Sequence, residues 1–249
     1  MTRQASGKRA LSPFATLASE LGYGLQFIRR HPWRLLLPFV GVLLPLWAFA
    51  GLAAEMREDG FLFFDIPAMV FLHQWASPRI DAFFSVVSRI GYLWGVAPAN
   101  ALILLWLLVR RRSRDGLFFG LAVLGSLAVN LVAKNYFARV RPELWLSIAP
   151  EDSYSFPSGH AMASVSLGVA VALLCWHSRW RWPVLVAASG FIALVGISRV
   201  YLGVHYPSDI LAGWAAATAW VVAMYHLVVG EAPAPKPAAG AGEDLITRP

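Results

Sequence analysis

Six long apolar runs, separated by short polar segments, constrain this chain more than any other feature of its sequence. Each run is long enough, or nearly so, to cross the ~30 Å hydrocarbon core of a bilayer as a helix. Only 14% of the residues are charged, whereas a soluble domain carries about 25%. The predicted fold class is therefore all-α, a bundle of six transmembrane helices. The predicted spans are residues 35–54, 83–109, 115–137, 157–176, 183–200 and 209–229.

Composition divides the chain into three parts. Residues 1–34 are polar and basic and are predicted to form a cytoplasmic N-terminal segment. Residues 35–230 form the predicted six-span membrane domain. Residues 231–249 are rich in Pro, Ala and Gly, and such a composition cannot build a packed core. We therefore expect a disordered cytoplasmic tail there.

The stretch FLFFDIPAMVFLHQW, residues 61–75, is apolar but does not fit a seventh span. Asp65 and Pro67 interrupt it, and a charge at bilayer depth is costly. We expect a helix that lies at the membrane interface or packs across the bundle.

The Lys and Arg residues predict the orientation of the spans. Of the 21, 14 lie in the N-terminal segment, the loops 110–114 and 177–182, and the C-terminal tail. Because basic loops stay in the cytoplasm, both termini are predicted to be cytoplasmic in a multi-pass protein of the cytoplasmic (inner) membrane. The seven on the opposite side are Arg57, Arg79, Arg89, Lys134, Arg139, Arg141 and Arg199.

The first apolar run ends in Ala-Phe-Ala-Gly, residues 48–51, which has the form of a signal-peptidase site. The basic segment of 34 residues before it is long for a signal peptide. We expect an uncleaved first span, and cleavage that leaves a mature chain starting near Gly51 is the open alternative.

Composition also argues against several classes of protein. Cys175 is the only cysteine, which excludes an intrachain disulfide and argues against a thiolate metal site. The net charge of +7 would suit nucleic acid, but no recognition motif accompanies it and the basic residues lie in short clusters between apolar runs. We expect the lipid bilayer and no nucleic acid as partner, and the oligomeric state is left open.

Three polar stretches are predicted to meet at the outer membrane face. Lys134 and Arg141 lie at the outer end of the third span, and Arg199 lies at the outer end of the fifth. Between His160 and Arg199 there are 38 residues with a basic patch, 177–182, in the middle. That is the length of one crossing inward and one crossing back, so both residues emerge on the same side.

These stretches carry the residue types of a binding site for a tetrahedral anion. Three cations supply the charge, and the start of a predicted helix supplies backbone amides and a favourable dipole. A lone cation at a span end usually reaches for lipid headgroups, and a lone Ser usually caps its helix. Their joint occurrence at one face favours one phosphate site. The predicted phosphate-binding residues are Lys134, Arg141, Ser158, Gly159 and Arg199.

Two histidines at the same face have separate chemical roles available. His205 lies four residues before Asp209, so the carboxylate can fix the tautomer of the imidazole and leave its other nitrogen free to attack. His160 can protonate a leaving oxygen. Because no carboxylate cluster lies nearby to hold a metal, cations and amides would neutralise the developing charge.

Three motifs occur in a fixed order along the outer ends of the spans. They are Lys134-x6-Arg141-Pro142, Pro157-Ser158-Gly159-His160 and Ser198-Arg199-x5-His205-x3-Asp209. Together they resemble the signature of the type 2 phosphatidic acid phosphatases, a superfamily of lipid phosphate phosphatases that also includes soluble acid phosphatases and vanadium haloperoxidases. The resemblance covers the chain from about Phe83 to Leu227, and every position expected to be essential is present.

The resemblance implies a six-helix bundle of the acid phosphatase/vanadium haloperoxidase type and metal-independent hydrolysis through a phosphohistidine. Carried over by position, His205 is the nucleophile, Asp209 its orienting partner and His160 the general acid. The five phosphate-binding residues keep the role given above. The resemblance implies no metal and no other cofactor.

The expected function is that of a lipid phosphate or diphosphate phosphatase acting at the outer face of the cytoplasmic membrane. The family suggests undecaprenyl diphosphate, phosphatidylglycerol phosphate, phosphatidic acid and lipid A phosphate as substrates, and the sequence does not choose among them. A lipid phosphotransferase using the same phosphohistidine is one alternative. A non-catalytic protein that binds or transports lipid phosphates is another, although binding alone needs no oriented nucleophile.

Overall fold

The computed structural model describes residues 36 and 38–230, and within them the chain is all-helical with no strand. The N-terminal segment 1–34 and the tail 231–249, both predicted above, lie outside the described residues. A short π-helical stretch, Phe39–Leu43, leads into the first of eight α-helices. The helices are α1 Leu44–Asp59, α2 Asp65–His73, α3 Pro78–Ile90, α4 Val96–Val109, α5 Ser113–Phe137, α6 Gly159–Leu174, α7 Arg181–Tyr201 and α8 Pro207–Val228.

Four helical segments are long and apolar enough to cross a membrane: Phe39–Asp59, α5, α7 and α8. The apolar helices α4 and α6 are shorter, with 14 and 16 residues. At 1.5 Å per residue they extend about 21 to 24 Å, less than a full hydrocarbon core. Several apolar helices in one chain confirm a multi-pass membrane protein, but six complete spans are not confirmed.

The predicted second span, residues 83–109, is wrong as a single helix. Helix α3 ends at Ile90 and α4 begins only at Val96. A glycine lies at each end of this break, and neither position has room for a side chain. A Cβ at Gly91 would lie 2.8 Å from the side chain of Val195, and a Cβ at Gly95 would lie only 2.4 Å from the carbonyl oxygen of Ile90. The chain thus turns where only glycine fits, which hydropathy does not detect.

The interrupted stretch 61–75 contains the short helix α2, which packs against α7 and α8. Asp65, its first residue, is fully buried, as is Met69 one turn later. The carboxylate of Asp65, on which we based the prediction that this stretch is not a seventh span, therefore lies inside the protein. A buried charge of this kind needs partners.

Helices α6 and α8 form the centre of the bundle. Helix α6 packs against α5, α7 and α8, and α8 also packs against α1 and α5. Small residues allow this close approach, as expected for helices in a membrane. A Cβ at Gly213 on α8, for example, would lie 3.0 Å from both the Cβ of Ala161 on α6 and the carbonyl of Ser158, which caps α6.

The bundle gathers four helix termini at one end: the C-terminal ends of α5 and α7 and the N-terminal ends of α6 and α8. The 21-residue connection between α5 and α6, residues 138–158, covers this end. Trp145 anchors the connection by stacking on His73 of α2 with ring centroids 3.9 Å apart, and Ser147 Oγ donates to the carbonyl of Leu202 at 2.7 Å. Polar residues from distant parts of the chain are thereby fixed against one another.

Candidate functional site

Arg199 lies in the last turn of α7 and is only 2% exposed. Its Nη1 donates to Ser88 Oγ on α3, and its Nη2 donates to the carboxylate of Glu151 in the 138–158 connection. Its Nε is buried and has no hydrogen-bond partner among the residues that the structure describes. A buried guanidinium with an unused donor is suited to an anion that offers several oxygens.

Arg141 and Lys134 meet the same short segment, residues 151–154, which we call the covering loop. Arg141 Nη2 donates to Glu151 Oε2 at 2.7 Å, and its Nε donates to the carbonyl of Ser153 at 2.6 Å. Lys134 Nζ donates to Ser153 Oγ at 2.9 Å and to the carbonyl of Tyr154 at 2.6 Å. All three cations predicted from the sequence therefore converge on four consecutive residues.

The PSGH stretch forms the start of α6. Ser158 is fully buried, its Oγ accepts from the amide of Ala161 at 3.4 Å, and its own amide donates to the Asp209 carbonyl at 3.1 Å. Ser158 therefore caps α6 and ties it to α8, while binding of phosphate by its hydroxyl stays a prediction. The amides of Gly159 and His160 have no acceptor among the described residues, as expected in a first helical turn.

His160 is mostly buried, with 14% of its side chain exposed. Its Nδ1 lies 3.7 Å from Glu151 Oε1, and its ring packs against Tyr92 with centroids 4.9 Å apart. The structure thus places the predicted general acid beside the group that joins Arg141 and Arg199.

His205 lies in the short connection between α7 and α8 and is fully buried. Its Nδ1 is 3.3 Å from Asp209 Oδ2, and its Nε2 is 3.1 Å from Arg141 Nη1. A guanidinium has only donors, so Nε2 must present its lone pair and Nδ1 must carry the proton toward Asp209. This is the tautomer that a histidine nucleophile needs, with the free nitrogen inside the cationic cluster.

The charge state of His205 agrees with this arrangement. Complete burial lowers the pKa of the imidazole well below its ordinary value, and the neighbouring Arg141 and Arg199 lower it further. His205 is therefore a neutral imidazole at physiological pH, and its lone pair is available for attack.

A buried ion-pair network behind Asp209 was missed by the sequence analysis. Arg139 Nη1 donates to Asp209 Oδ1 and to Ser208 Oγ, and its Nη2 donates to Asp65 Oδ2 at 3.1 Å. Asp65 also accepts from the amide and the hydroxyl of Ser208, at 2.8 and 2.6 Å. Arg139 and Asp65 therefore fix the carboxylate that orients His205. Asp65 was noted only as an interruption, and Arg139 only as an outward cation.

Replacing Arg139 with Gln should lower kcat about 10- to 100-fold and leave the affinity for inorganic phosphate nearly unchanged. The reason is that Arg139 holds Asp209 but does not contact the covering loop or His205. The variant should also unfold more easily, because the buried Asp65 and Asp209 lose their partner at a cost of about 3–5 kcal/mol. Steady-state kinetics on a lipid phosphate, phosphate binding and thermal unfolding measure the three effects.

Arg57→Gln is the matched control, since Arg57 is exposed and lies outside the network. If Arg139 only stabilised the fold, kcat calculated per folded protein would equal that of the wild type. That result would contradict the positioning role.

Glu151 is the other residue that sequence analysis did not select. It lies in an acidic stretch, Glu151-Asp152, which reads as an ordinary solvated loop. In the structure its carboxylate bridges Arg141 and Arg199. The only sequence signal for Glu151 is its position in the loop between the first two motifs, which end at Pro142 and begin at Pro157.

Residues 36 and 38–230 contain no group of three or more His, Cys, Asp or Glu side chains arranged to hold a metal ion. The polar atoms of the site are mainly cationic donors and an oriented imidazole. Metal independence stays a prediction, tested below by chelation.

A membrane helical bundle with three cations and two histidines at one end is suited to phosphate esters, the class of substrate that such donors and such a nucleophile serve. The family comparison agrees: the model of the PAP2 superfamily matches residues 115–232. Phosphatidylglycerophosphatase B of Bacillus subtilis is 32% identical over 142 residues, which are 55% of this chain and 70% of that protein. The chain belongs to the PAP2 superfamily, as its three motifs predicted.

Other comparisons give the same family. Undecaprenyl-diphosphatase of Sulfolobus acidocaldarius is 36% identical over 129 residues, 49% of this chain and 57% of that protein. The crystal structure of a transmembrane PAP2-type phosphatidylglycerolphosphate phosphatase from Bacillus subtilis superposes with a TM-score of 0.66 at 28% identity, covering 76% of this chain and 94% of that one. These relatives are named phosphatases, which confirms the predicted class of phosphoric monoester hydrolase.

Proposed function

We propose that the chain removes phosphate from a membrane lipid phosphate or diphosphate through a phosphohistidine on His205. One observation carries this proposal: Nε2 of a fully buried, neutral His205 points its lone pair into the cationic cluster while Asp209 holds Nδ1. A site that only bound anions would gain nothing from a nucleophile oriented in this way.

In the first step, the lone pair of His205 Nε2 attacks phosphorus and the bond between phosphorus and the lipid oxygen breaks. In its proposed role as general acid, His160 transfers a proton to that oxygen, which leaves as an alcohol, or as a lipid monophosphate when the substrate is a diphosphate. Lys134, Arg141, Arg199 and the first amides of α6 stabilise the charge on the non-bridging oxygens. Asp209 stabilises the positive charge that develops on the His205 ring.

In the second step, water attacks the phosphohistidine and the bond between phosphorus and nitrogen breaks. The neutral His160 accepts the proton of that water, which restores its acid form for the next cycle. His205 regains its lone pair, and inorganic phosphate is the product. Both steps balance without a redox partner or a cofactor.

An apolar cavity beside the site supports a lipid as the substrate. It has a volume of about 420 Å³ and lies between α4, α5 and α6. Gly159 and Tyr92 line it, and Tyr92 packs on His160, so the cavity adjoins the PSGH stretch. A pocket lined mainly by apolar side chains suits a hydrocarbon chain whose headgroup reaches His160.

Two polar atoms in the wall of this cavity bear on the kind of lipid. Asn100 Oδ1 and Ser126 Oγ are buried and have no hydrogen-bond partner among the described residues. Unpaired buried polar groups are costly, and the Ser126 hydroxyl can donate to an ester oxygen of a lipid, whereas a plain hydrocarbon chain offers it no partner. Asn100 Oδ1 only accepts, so it needs a donor such as a lipid hydroxyl. We therefore include both diacyl and prenyl lipids in the test below.

The predicted orientation places this site at the outer face of the cytoplasmic membrane. The support is the excess of Lys and Arg in the segments that alternate with the site end of the bundle. Relatives named for phosphatidylglycerophosphate and for undecaprenyl diphosphate make these two lipids the first candidates, with phosphatidic acid and lipid A phosphate after them.

The test is release of inorganic phosphate by the purified full chain in mixed micelles of phosphatidic acid, phosphatidylglycerol phosphate or undecaprenyl diphosphate. We expect turnover of at least one of them, unchanged by EDTA because the site holds phosphate with cations and amides. Orthovanadate should inhibit, since it mimics pentacoordinate phosphorus. Activity that EDTA abolishes and Mg²⁺ restores would contradict the metal-free chemistry.

Other outcomes would favour the alternatives. Loss of lipid phosphate without release of inorganic phosphate, with the group found on a second lipid or a sugar, identifies a phosphotransferase. Tight binding of every lipid phosphate without any turnover identifies a binding or transport protein.

A further inference from the structure

The carboxylate of Glu151 lies between the cations at the centre of the site. Its Oε2 accepts from Arg141 Nη2 at 2.7 Å, and its Oε1 accepts from Arg199 Nη2. Oε1 is also 3.7 Å from His160 Nδ1, and the side chain is 26% exposed. A negatively charged group of the chain itself is thus held by the donors assigned above to the phosphate group.

Glu151 remains ionised in this position. Burial alone would raise the pKa of its carboxyl group, but the neighbouring Arg199 and Arg141 lower the pKa below its ordinary value. The carboxylate therefore carries one negative charge at neutral pH and uses two of the guanidinium donors that a headgroup needs. A headgroup that takes these two donors must displace Glu151 from them.

We propose that Glu151 is a tethered competitor for the headgroup site. It weakens the binding of every phosphate headgroup by one common factor, so that the weakly bound, singly charged phosphodiesters of the bilayer leave the site empty while a doubly charged phosphomonoester still binds. The proposal rests on the proposed function, since it assigns the same cations to a lipid phosphate. Competition by Glu151 would explain why the phosphodiesters of the surrounding bilayer do not fill the site.

The physical reason is a reduction of affinity that is common to all ligands. When only a fraction of the protein has its site free of Glu151, the apparent dissociation constant of every headgroup rises by the inverse of that fraction. A phosphomonoester near neutral pH carries about 1.5 to 2 negative charges and keeps useful affinity among three cations. A phosphodiester carries one charge, the same as the tethered carboxylate, so its weaker affinity falls too low for it to occupy the site.

A direct part in the chemistry is the alternative role for Glu151, because it lies near His160. The two roles predict different kinetics. A competitor raises KM and inhibition constants without supplying a proton, whereas a catalytic group changes kcat.

The experiment compares the wild type with Glu151→Gln, and uses Glu143→Gln as the matched control. Glu143 is exposed in the same connection and forms no ion pair among the described residues. For each full-length protein, phosphate release is measured on the best lipid of the panel with phosphatidylglycerol, a phosphodiester, as competitor. Binding of inorganic phosphate is measured separately by the rise of the unfolding temperature with phosphate concentration.

In Glu151→Gln we expect the inhibition constant of phosphatidylglycerol and the dissociation constant of phosphate to fall by one common factor of about ten or more. The value of kcat should stay within about threefold of the wild type, and Glu143→Gln should behave as wild type. Because Arg199 is buried and loses its partner, the variant should unfold at lower temperature without phosphate and gain more from added phosphate. If Glu151→Gln does not fold, Glu151→Asp, whose side chain is one methylene shorter, should lower the same two constants by a smaller factor.

Two results would overturn the proposal: unchanged constants for phosphatidylglycerol and phosphate, or a loss of kcat with unchanged binding. Neither result affects the proposed function, which needs only that the wild type turns over a lipid phosphate. Conversely, tighter phosphate binding in Glu151→Gln together with no turnover of any lipid by the wild type refutes the proposed function and leaves the competition by Glu151 standing.

Discussion

The variant His205→Ala should lose at least about 10³-fold in phosphate release while it still folds and binds inorganic phosphate. Removing a covalent nucleophile leaves only the catalysis that binding and charge stabilisation provide. The fold should survive because Asp209 keeps Arg139 and the amide of Tyr206, the latter at 2.9 Å. Arg141 likewise keeps its hydrogen bond to the carbonyl of Val204 at 2.6 Å.

Phosphate release, thermal unfolding and phosphate binding measure this result, with His177→Ala as the control because His177 is exposed in the α6–α7 connection. In the wild type, brief incubation with radiolabelled substrate should leave phosphate on the protein that is labile to acid and stable to base, as expected for a phosphohistidine. Wild-type turnover by His205→Ala would eliminate the mechanism, whereas loss of folding would be answered by the larger replacement His205→Gln.

Arg199→Ala should lower kcat/KM by about 10²- to 10³-fold, or ~3 to 4 kcal/mol of transition-state stabilisation. Arg199 is nearly inaccessible to solvent and is fixed by Ser88, so its Nη2 and its unused Nε are held in place before substrate binds. Preorganised donors of this kind stabilise a transition state without further reorganisation. The affinity for inorganic phosphate should fall as well, because the same donors contact the ground state.

Arg199→Lys should recover only a small part of this loss, since an ammonium group cannot contact Ser88 and a phosphate oxygen with the fork of a guanidinium. Arg89→Ala is the control, because Arg89 is adjacent to Ser88 in sequence but exposed. Phosphate release across a range of substrate concentrations separates kcat from KM for each variant. Equal activities of Arg199→Ala and Arg89→Ala would show that Arg199 has no part in the reaction.

The sequence was a reliable guide wherever the signal is local. Apolar runs located α5, α6, α7 and α8 to within a few residues, because burial in lipid demands apolar residues over a whole span. The position of Lys134, Arg141, His160 and Arg199 at one end followed from span length and loop charge, and the structure brings these residues together around Glu151. The spacing of His205 and Asp209 likewise gave their contact, since residues four apart at a helix start lie close together.

The sequence was a poor guide where a contact joins distant residues or depends on the backbone. The break at Gly91 and Gly95 escapes a hydropathy window, because both residues lie in an apolar run. The partners of Arg139 and Arg199 escape it too, because Asp65 is 74 residues from Arg139 and Glu151 is 48 residues from Arg199.

By itself the sequence determined that this protein is a helical membrane protein and that it carries the three motifs of the PAP2 superfamily. Both properties are written in residue types and short spacings, which fix hydrophobicity and local geometry. Only the tertiary structure decided that Arg139 and Asp65 hold Asp209 and that Glu151 lies among the cations. The physical reason is that a buried charge pairs with whatever opposite charge the packing brings within reach, and packing is a property of the whole fold.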